Sequence, residues 1–154
     1  MKTRTILASL AVVIAGSALC FAEDANMGTW KLNEGKSKLS PGASKNHTVV
    51  YAAAGDSVKV TVEGVDAEGK PAHNEWTGKF DGKDYAVTGD PNSDVRSYKR
   101  VDDHTLELTG KKGGNVTLTG RVVVTADGKS RTVTTTTTDA KGGKISAIAV
   151  YDKQ

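Results

Sequence analysis

The chain has 154 residues, of which 25% are charged, with 21 lysines and arginines against 18 aspartates and glutamates. The two signs are interspersed and form no basic run, which argues against a nucleic-acid-binding surface or an electrostatic hold on an anionic membrane. The length fits one domain behind a leader, and no linker-like stretch divides it.

The first 22 residues predict a cleaved signal peptide. Lys2 and Arg4 precede an uncharged, mostly apolar stretch, and Cys20 and Ala22 supply small residues at the −3 and −1 positions of a cleavage site. The apolar stretch is shorter than the ~20 residues of a membrane-spanning helix. A lipid anchor on Cys20 is disfavoured, because Leu19 stands where bacterial lipoproteins need a small residue.

Cleavage after Ala22 leaves residues 23–154 as one periplasmic or secreted domain without stable membrane insertion. The only cysteine of the chain is removed, so packing and strand pairing must hold the domain without disulfides. The remaining 19 basic residues nearly match the 18 acidic ones.

Valine and threonine dominate the periodic segments of this domain, whereas glycine, aspartate, asparagine and lysine gather at the breaks, a pattern typical of strands and hairpins. Ten strands are predicted, at Met27 to Asn33, Asn46 to Ala53, Ser57 to Val65, Ala72 to Phe80, Asp84 to Thr88, Asp94 to Val101, Thr105 to Gly110, Asn115 to Ala126, Ser130 to Asp139 and Lys144 to Asp152.

Short glycine-containing turns join most of these strands, so sequence neighbours pair antiparallel in an up-and-down meander. Helical periodicity is limited to a stretch around Glu34 to Leu39. Closure into a barrel would remove the exposed edges of the sheet. We therefore predict an all-β barrel, with an open curved sheet as the alternative because few aromatic residues are present to fill a lumen.

Alternating side chains predict which face of each strand is buried. Val58, Val60 and Val62 share one face, and Trp76 shares another with Phe80. The segment Thr134 to Thr138 has threonine on both faces, which predicts an exposed or edge-like strand.

Two terminal motifs carry a family resemblance: Gly28-Thr29-Trp30-Lys31-Leu32 on the first strand and Ala149-Val150-Tyr151-Asp152-Lys153 on the last. With the meander between them they resemble the calycins, which comprise the lipocalins and the fatty-acid-binding proteins. The chain is also similar to a group of small exported bacterial proteins of unknown function. The resemblance implies a calycin-like barrel in which Trp30 plugs one end and is structural.

Two departures separate the chain from fatty-acid-binding proteins. That family inserts two portal helices between its first two strands, whereas the segment Gly35 to Lys45 is too short for them. It also places an arginine two residues before a tyrosine on the last strand, where this chain has Ala149 before Tyr151. The resemblance therefore supports the fold better than fatty-acid binding.

Arg96, Tyr98 and Arg100 fall on one face of the predicted strand Asp94 to Val101. Facing inward, they would form an anion site that resembles the one calycins use for carboxylates. Facing outward, they would form a basic stripe paired with Glu107 or with the aspartates of the hairpin. The outward orientation is favoured, because burying two arginines without a resident anion is costly.

Metal and catalytic signatures are weak. The segment Asp90 to Asp94 resembles the start of a calcium loop, but Val95 and Val101 replace the glycine and glutamate that such a loop needs, so a turn is the preferred interpretation. No spacing of histidines predicts a metal site and no nucleophile motif is present. We therefore expect that the protein is not an enzyme and that it binds no cofactor.

The sequence thus predicts an exported, monomeric, lipocalin-like barrel that binds a small hydrophobic, amphipathic or anionic ligand. The alternative is an envelope or extracellular interaction module without a ligand cavity, whose threonine-rich faces bind a protein or a cell-wall polymer.

Overall fold

The computed structural model describes residues 24–139 and 141–154. The predicted signal peptide and its cleavage site at Ala22 lie outside these residues. Within the described part of the chain, no helix is long and apolar enough to cross a membrane.

Ten strands and one short 3₁₀ helix make up the described chain. The strands are β1 Gly28–Leu32, β2 Lys45–Ala54, β3 Ser57–Val65, β4 Pro71–Gly78, β5 Tyr85–Thr88, β6 Val95–Asp102, β7 Thr105–Lys112, β8 Asn115–Val124, β9 Ser130–Thr138 and β10 Lys144–Lys153.

Every strand pairs antiparallel with the next one in sequence, and β1 pairs with β10 to close the barrel. Trp30 lies opposite Lys153 and Leu32 opposite Tyr151 in the closing pair. The prediction of a closed, ten-stranded meander is therefore confirmed, and the alternative of an open sheet is wrong. Closure gives every strand a hydrogen-bonded neighbour on each side, so the sheet has no edge strand among the described residues.

The two ends of the barrel differ. At the base, β1 begins and β10 ends, and the segment 24–27 crosses this end, where Asn26 is fully buried. At the mouth lie the connections β1–β2, β3–β4, β5–β6, β7–β8 and β9–β10. The 3₁₀ helix Glu34–Lys36 belongs to the first of these connections, and the Asn33 side chain accepts a hydrogen bond from the Lys36 amide at its start. The helical stretch predicted around Glu34 to Leu39 is therefore limited to this single 3₁₀ turn.

The threonine-rich strand β9 is not an edge strand. It pairs along most of its length with both β8 and β10. Thr134 is exposed, but Thr135 to Thr138 are half-buried. The prediction of an edge-like strand is thus wrong, because barrel closure gives every strand two neighbours.

Side chains that alternate inward fill the base of the barrel. The buried apolar residues are Trp30, Val49, Tyr51, Val60, Val62, Trp76, Val87, Tyr98, Leu106, Leu108, Val122, Val124 and Tyr151. Several of the aromatic rings contact one another, and the Trp76 and Tyr98 ring centroids are 4.7 Å apart in an edge-on arrangement. Such pairs stabilise beyond the area that they bury.

Candidate ligand site

A small cavity of about 90 Å³ lies inside the barrel above the packed base. At ~30 Å³ for each water molecule this is room for about three waters. Its wall consists of Asn46, Val49, Tyr51, Val62, Arg96, Tyr98, Leu108, Leu118, Val122, Arg131, Val133, Thr135 and Tyr151. The wall therefore combines aliphatic side chains with two arginines and three tyrosines.

Arg131 is the most unusual residue in this wall. It is only 1% exposed, although an arginine is almost never fully buried unless it is paired. Its guanidinium lies over three aromatic rings, at 4.6 Å from the Trp30 ring, 4.7 Å from Tyr51 and 5.1 Å from Tyr151. These cation–π contacts stabilise the buried charge.

Aromatic rings do not satisfy all the hydrogen-bond donors of Arg131. Its Nε and Nη1 atoms are buried without an acceptor among the described residues. No carboxylate of the described chain forms an ion pair with it. Arg131 thus places in the cavity wall a positive charge that has no carboxylate partner among the described residues, and such a charge attracts an anion.

Two tyrosines of the wall, Tyr51 and Tyr151, are neutral hydrogen-bonding groups. Burial, and secondarily the neighbouring Tyr98 hydroxyl, raises the pKa of Tyr51 well above its usual range. Burial raises the pKa of Tyr151 to about 12, although the charge of Arg131 acts in the opposite direction. Both phenols therefore keep their protons at neutral pH and can donate to an anion held near Arg131.

Arg96 and Tyr98 face inward, which contradicts the favoured outward orientation of β6. Both are buried, and Arg96 pairs with Asp90 on the β5–β6 connection and not with Glu107. The Arg96 Nη2 to Asp90 Oδ2 distance is 2.8 Å, with side chains only 8% and 12% exposed. This carboxylate supplies the counter-charge that a buried arginine needs, so no resident anion was required.

Further contacts hold Arg96 in place. Its Nη1 atom donates to Asn74 Oδ1 at 3.4 Å, while its Nε atom is buried without an acceptor among the described residues. Burial alone would lower the pKa of Arg96, but Tyr98 and Asp90 together raise it. Arg96 is therefore a charged residue whose charge is already matched.

Arg100 is separated from the other two candidates. It lies towards the base, where it pairs with Asp24 and its guanidinium is 5.3 Å from the Phe80 ring. It does not line the cavity. The structure therefore brings Arg96 and Tyr98 together and leaves Arg100 to tie the segment 24–27 to the barrel.

Trp30 is fully buried at the base, and its Nε1 donates to the Asn26 carbonyl oxygen at 2.9 Å. Trp30 does not line the cavity itself, but the Arg131 guanidinium, which does, lies over the Trp30 ring. The tryptophan predicted to plug one barrel end is thus joined to the cavity through Arg131.

The sequence did not point to Arg131, although one signal was present. Arg131 and Tyr151 are equally far from Lys141 in the β9–β10 turn, and a hairpin centred there makes them cross-strand partners. Arg131 also alternates with Val133 on the inward face of β9. Counting register from the turn would have placed Arg131 opposite Tyr151 on the last strand.

The segment Asp90 to Asp94, which resembles the start of a calcium loop in sequence, uses its carboxylates to accept hydrogen bonds from backbone amides. Asp90 Oδ1 accepts from the Asn92 amide at 2.9 Å, and Asp94 Oδ2 accepts from the Gly113 amide at 2.9 Å. Both carboxylates therefore stabilise turns, as aspartates commonly do.

A larger depression of about 490 Å³ lies on the outer wall of β7, β8 and β9. Threonines line much of it, and Arg121 there is 3.7 Å from Glu107. No buried polar side chain without a partner lies among its lining residues in the described chain. The smaller lumenal cavity is therefore the better ligand site.

No protein-family model and no curated protein matches the chain. Among solved structures it is similar to a redesigned β-barrel, mFAP1, bound to DFHBI, with a TM-score of 0.45 and 16% identity, covering 84% of this chain and 95% of that chain. It is also similar to a redesigned β-barrel, b11L5F_LGL, with a TM-score of 0.47 and 14% identity, covering 90% and 99%. The ligand has to be inferred from the lumen of this chain itself.

Proposed function

We propose that the protein is an exported binding protein that holds the negatively charged end of a small amphipathic molecule in its barrel. The observation that carries the proposal is Arg131, a buried guanidinium with unpartnered donors and no carboxylate partner among the described residues. An arginine left in this state is costly for the fold, and an anion in the cavity would reduce that cost.

The size of the cavity decides what part of the ligand it takes. About 90 Å³ accommodates a charged headgroup, whereas pockets for whole drug-sized ligands measure roughly 300 Å³ or more. The apolar remainder would extend towards the mouth. There Leu118, Val133 and Ala149 pack on the core but remain partly exposed.

Ile145 extends this apolar path. It alternates on the same face of β10 as Ala149 and Tyr151 and is 47% exposed. An exposed isoleucine on an inward face gives an aliphatic tail a surface to cover. The ligand is therefore a single amphiphilic molecule, whose acidic group lies at Arg131 and whose apolar tail extends to the mouth of the barrel.

Titration of the purified protein with octanoate tests this function. The Arg side-chain Nε–Hε resonances in a ¹H–¹⁵N spectrum report the site directly, and we expect that of Arg131 to shift most. Arg131→Met should weaken binding by about 10- to 100-fold, the loss of a charge-assisted hydrogen bond. Arg121→Met, the same substitution at the exposed outer pair with Glu107, should leave binding unchanged.

Neutral 1-octanol separates charge recognition from burial of the tail. It should bind far more weakly than octanoate to the wild-type protein and equally to both variants. Octanoate that fails to bind, or that binds Arg131→Met as well as wild type, contradicts the proposal and favours the interaction module, for which the threonine-lined outer depression is the candidate surface.

Export is tested separately by the intact mass of the protein released by its host. We expect the chain to begin at Glu23. A mass that retains Cys20, or that carries lipid, contradicts this part of the proposal.

A further inference from the structure

The lumen has one unmatched positive charge. Of the residues that line the cavity, only Arg96 and Arg131 carry a full charge at neutral pH. Asp90 matches Arg96 at 2.8 Å, whereas Arg131 has no ion-pair partner within the described residues. With Arg96 neutralised by Asp90, the single positive charge of Arg131 is left to pair with a ligand.

Asp90 is fixed where it matches Arg96. Its Oδ1 atom accepts a hydrogen bond from the Asn92 amide, and Lys112 at the end of β7 donates one to the carbonyl oxygen of Pro91. On the other side, Gly89 has φ +77° and a Cβ there would come within 2.2 Å of the His73 carbonyl oxygen. The close approach on one side and the hydrogen bonds on the other keep the carboxylate on Arg96.

We propose that the site, if it binds acidic amphiphiles as set out above, selects monoanionic headgroups over dianionic ones, and that Asp90 is the residue that sets this selectivity. A monoanion such as a carboxylate or sulfonate is matched by Arg131 alone. The second charge of a phosphate monoester would be desolvated without a free cation and would meet the Asp90 carboxylate at Arg96. Specificity of this kind comes from the repulsive element as much as from the attractive one.

Octanesulfonate and octyl phosphate at pH 8 form a matched pair of probes. They share the same tail and a similar tetrahedral headgroup, but differ by about one unit of charge because the second phosphate pKa is near 6. Calorimetric titration of the wild-type protein should give a sulfonate affinity at least about tenfold above that of the phosphate, the size of one charge-assisted hydrogen bond.

Asp90→Asn removes the counter-charge and keeps the oxygen that accepts the Asn92 amide. It should reduce the preference for sulfonate by about tenfold or reverse it, because Arg96 becomes available to the second charge. Asp103→Asn makes the same charge change at an exposed position of the β6–β7 turn and should leave the preference as in wild type. The double variant Asp90→Asn/Arg96→Gln restores one unmatched charge and should restore the preference for sulfonate.

The outcomes separate the two levels of inference. If wild type binds both probes equally, or if Asp90→Asn changes the preference no more than Asp103→Asn, the role of Asp90 is wrong while anion binding stands. If neither probe binds wild type, the proposed function is wrong and the selectivity falls with it. Circular dichroism of each variant establishes that it has folded, and the wild-type comparison needs no variant.

Discussion

Replacing Arg131 with methionine tests whether this residue serves the ligand or the fold. Methionine keeps most of the apolar volume of the arginine stem but removes its charge and its donors. Three cation–π contacts would be lost, each worth about 0.5 to 2 kcal/mol. Two buried donors without acceptors would disappear, each of which costs about 1 to 3 kcal/mol.

The two effects are of similar size, so their difference is small. The desolvation of the guanidinium is also relieved, and buried ionic groups replaced by apolar residues of similar volume are often neutral or stabilising. We expect the free energy of unfolding of Arg131→Met to lie within about 2 kcal/mol of wild type, while its octanoate affinity falls. An arginine that binds nothing but stabilises the base would behave in the opposite way.

Urea unfolding followed by tryptophan fluorescence measures this difference, and Arg121→Met is the control for the substitution itself. At the same concentration, octanoate should raise the unfolding midpoint of wild type and of the control by more than that of Arg131→Met, because a more weakly bound ligand stabilises the native state less. A loss above about 3 kcal/mol, the scale of deleting a large buried side chain, would make Arg131 a structural residue and refute the reasoning.

Trp30→Ala should cost about 3 to 5 kcal/mol of stability, because it deletes a fully buried aromatic side chain at the base; urea unfolding measures it. Arg100→Gln should leave octanoate affinity unchanged in the same titration, since Arg100 pairs with Asp24 away from the cavity. Burial raises the pKa of Asp24, but the ion pair with Arg100 and the hydrogen bonds from Asn26 lower it by more, so the pKa lies below its ordinary value of 3.8. Asp24 therefore stabilises the fold above about pH 4 and loses this effect as the pH falls through its folded pKa, so Asp24→Asn should lose less stability than wild type between about pH 5 and pH 2.

Each of these outcomes has a clear contradiction. An unchanged urea midpoint for Trp30→Ala would remove the tryptophan from the base of the barrel. Weaker octanoate binding by Arg100→Gln would return that residue to the ligand site. Parallel loss of stability on acidification in wild type and Asp24→Asn would mean that this carboxylate contributes nothing to acid sensitivity.

The sequence by itself determined the ten strands and their antiparallel order, and it favoured a closed barrel over an open sheet; the pairing of β1 with β10 then closed it. The strands and their order follow from local information, because alternating valines such as Val58, Val60 and Val62 fix a buried face and short turns force neighbouring strands to pair. The exception is β9, where threonine on both faces predicted an edge that barrel closure then removed. Even there, the strand itself was predicted within one residue.

The candidate site was only partly within reach of the sequence. Arg96 and Tyr98 were named because they share a strand face, but neither face of β6 is apolar enough to fix which one points inward. Asp90 decides the orientation, since it lies on the connection before the strand and supplies the counter-charge. Its aspartate and asparagine neighbours indicated a turn and gave no sign of an ion pair.

Only the tertiary structure decided that Arg131 belongs to the site. Its surroundings come from β1, β2 and β10, through the rings of Trp30, Tyr51 and Tyr151, which the chain brings together only when the barrel closes. The free energy of a buried charge depends on all the groups around it at once, and not on its neighbours in sequence. Strand alternation can place an arginine inside a barrel, but whether that arginine meets a carboxylate, as Arg96 does, or aromatic faces and an open cavity, as Arg131 does, is set by the packing of residues from opposite ends of the chain.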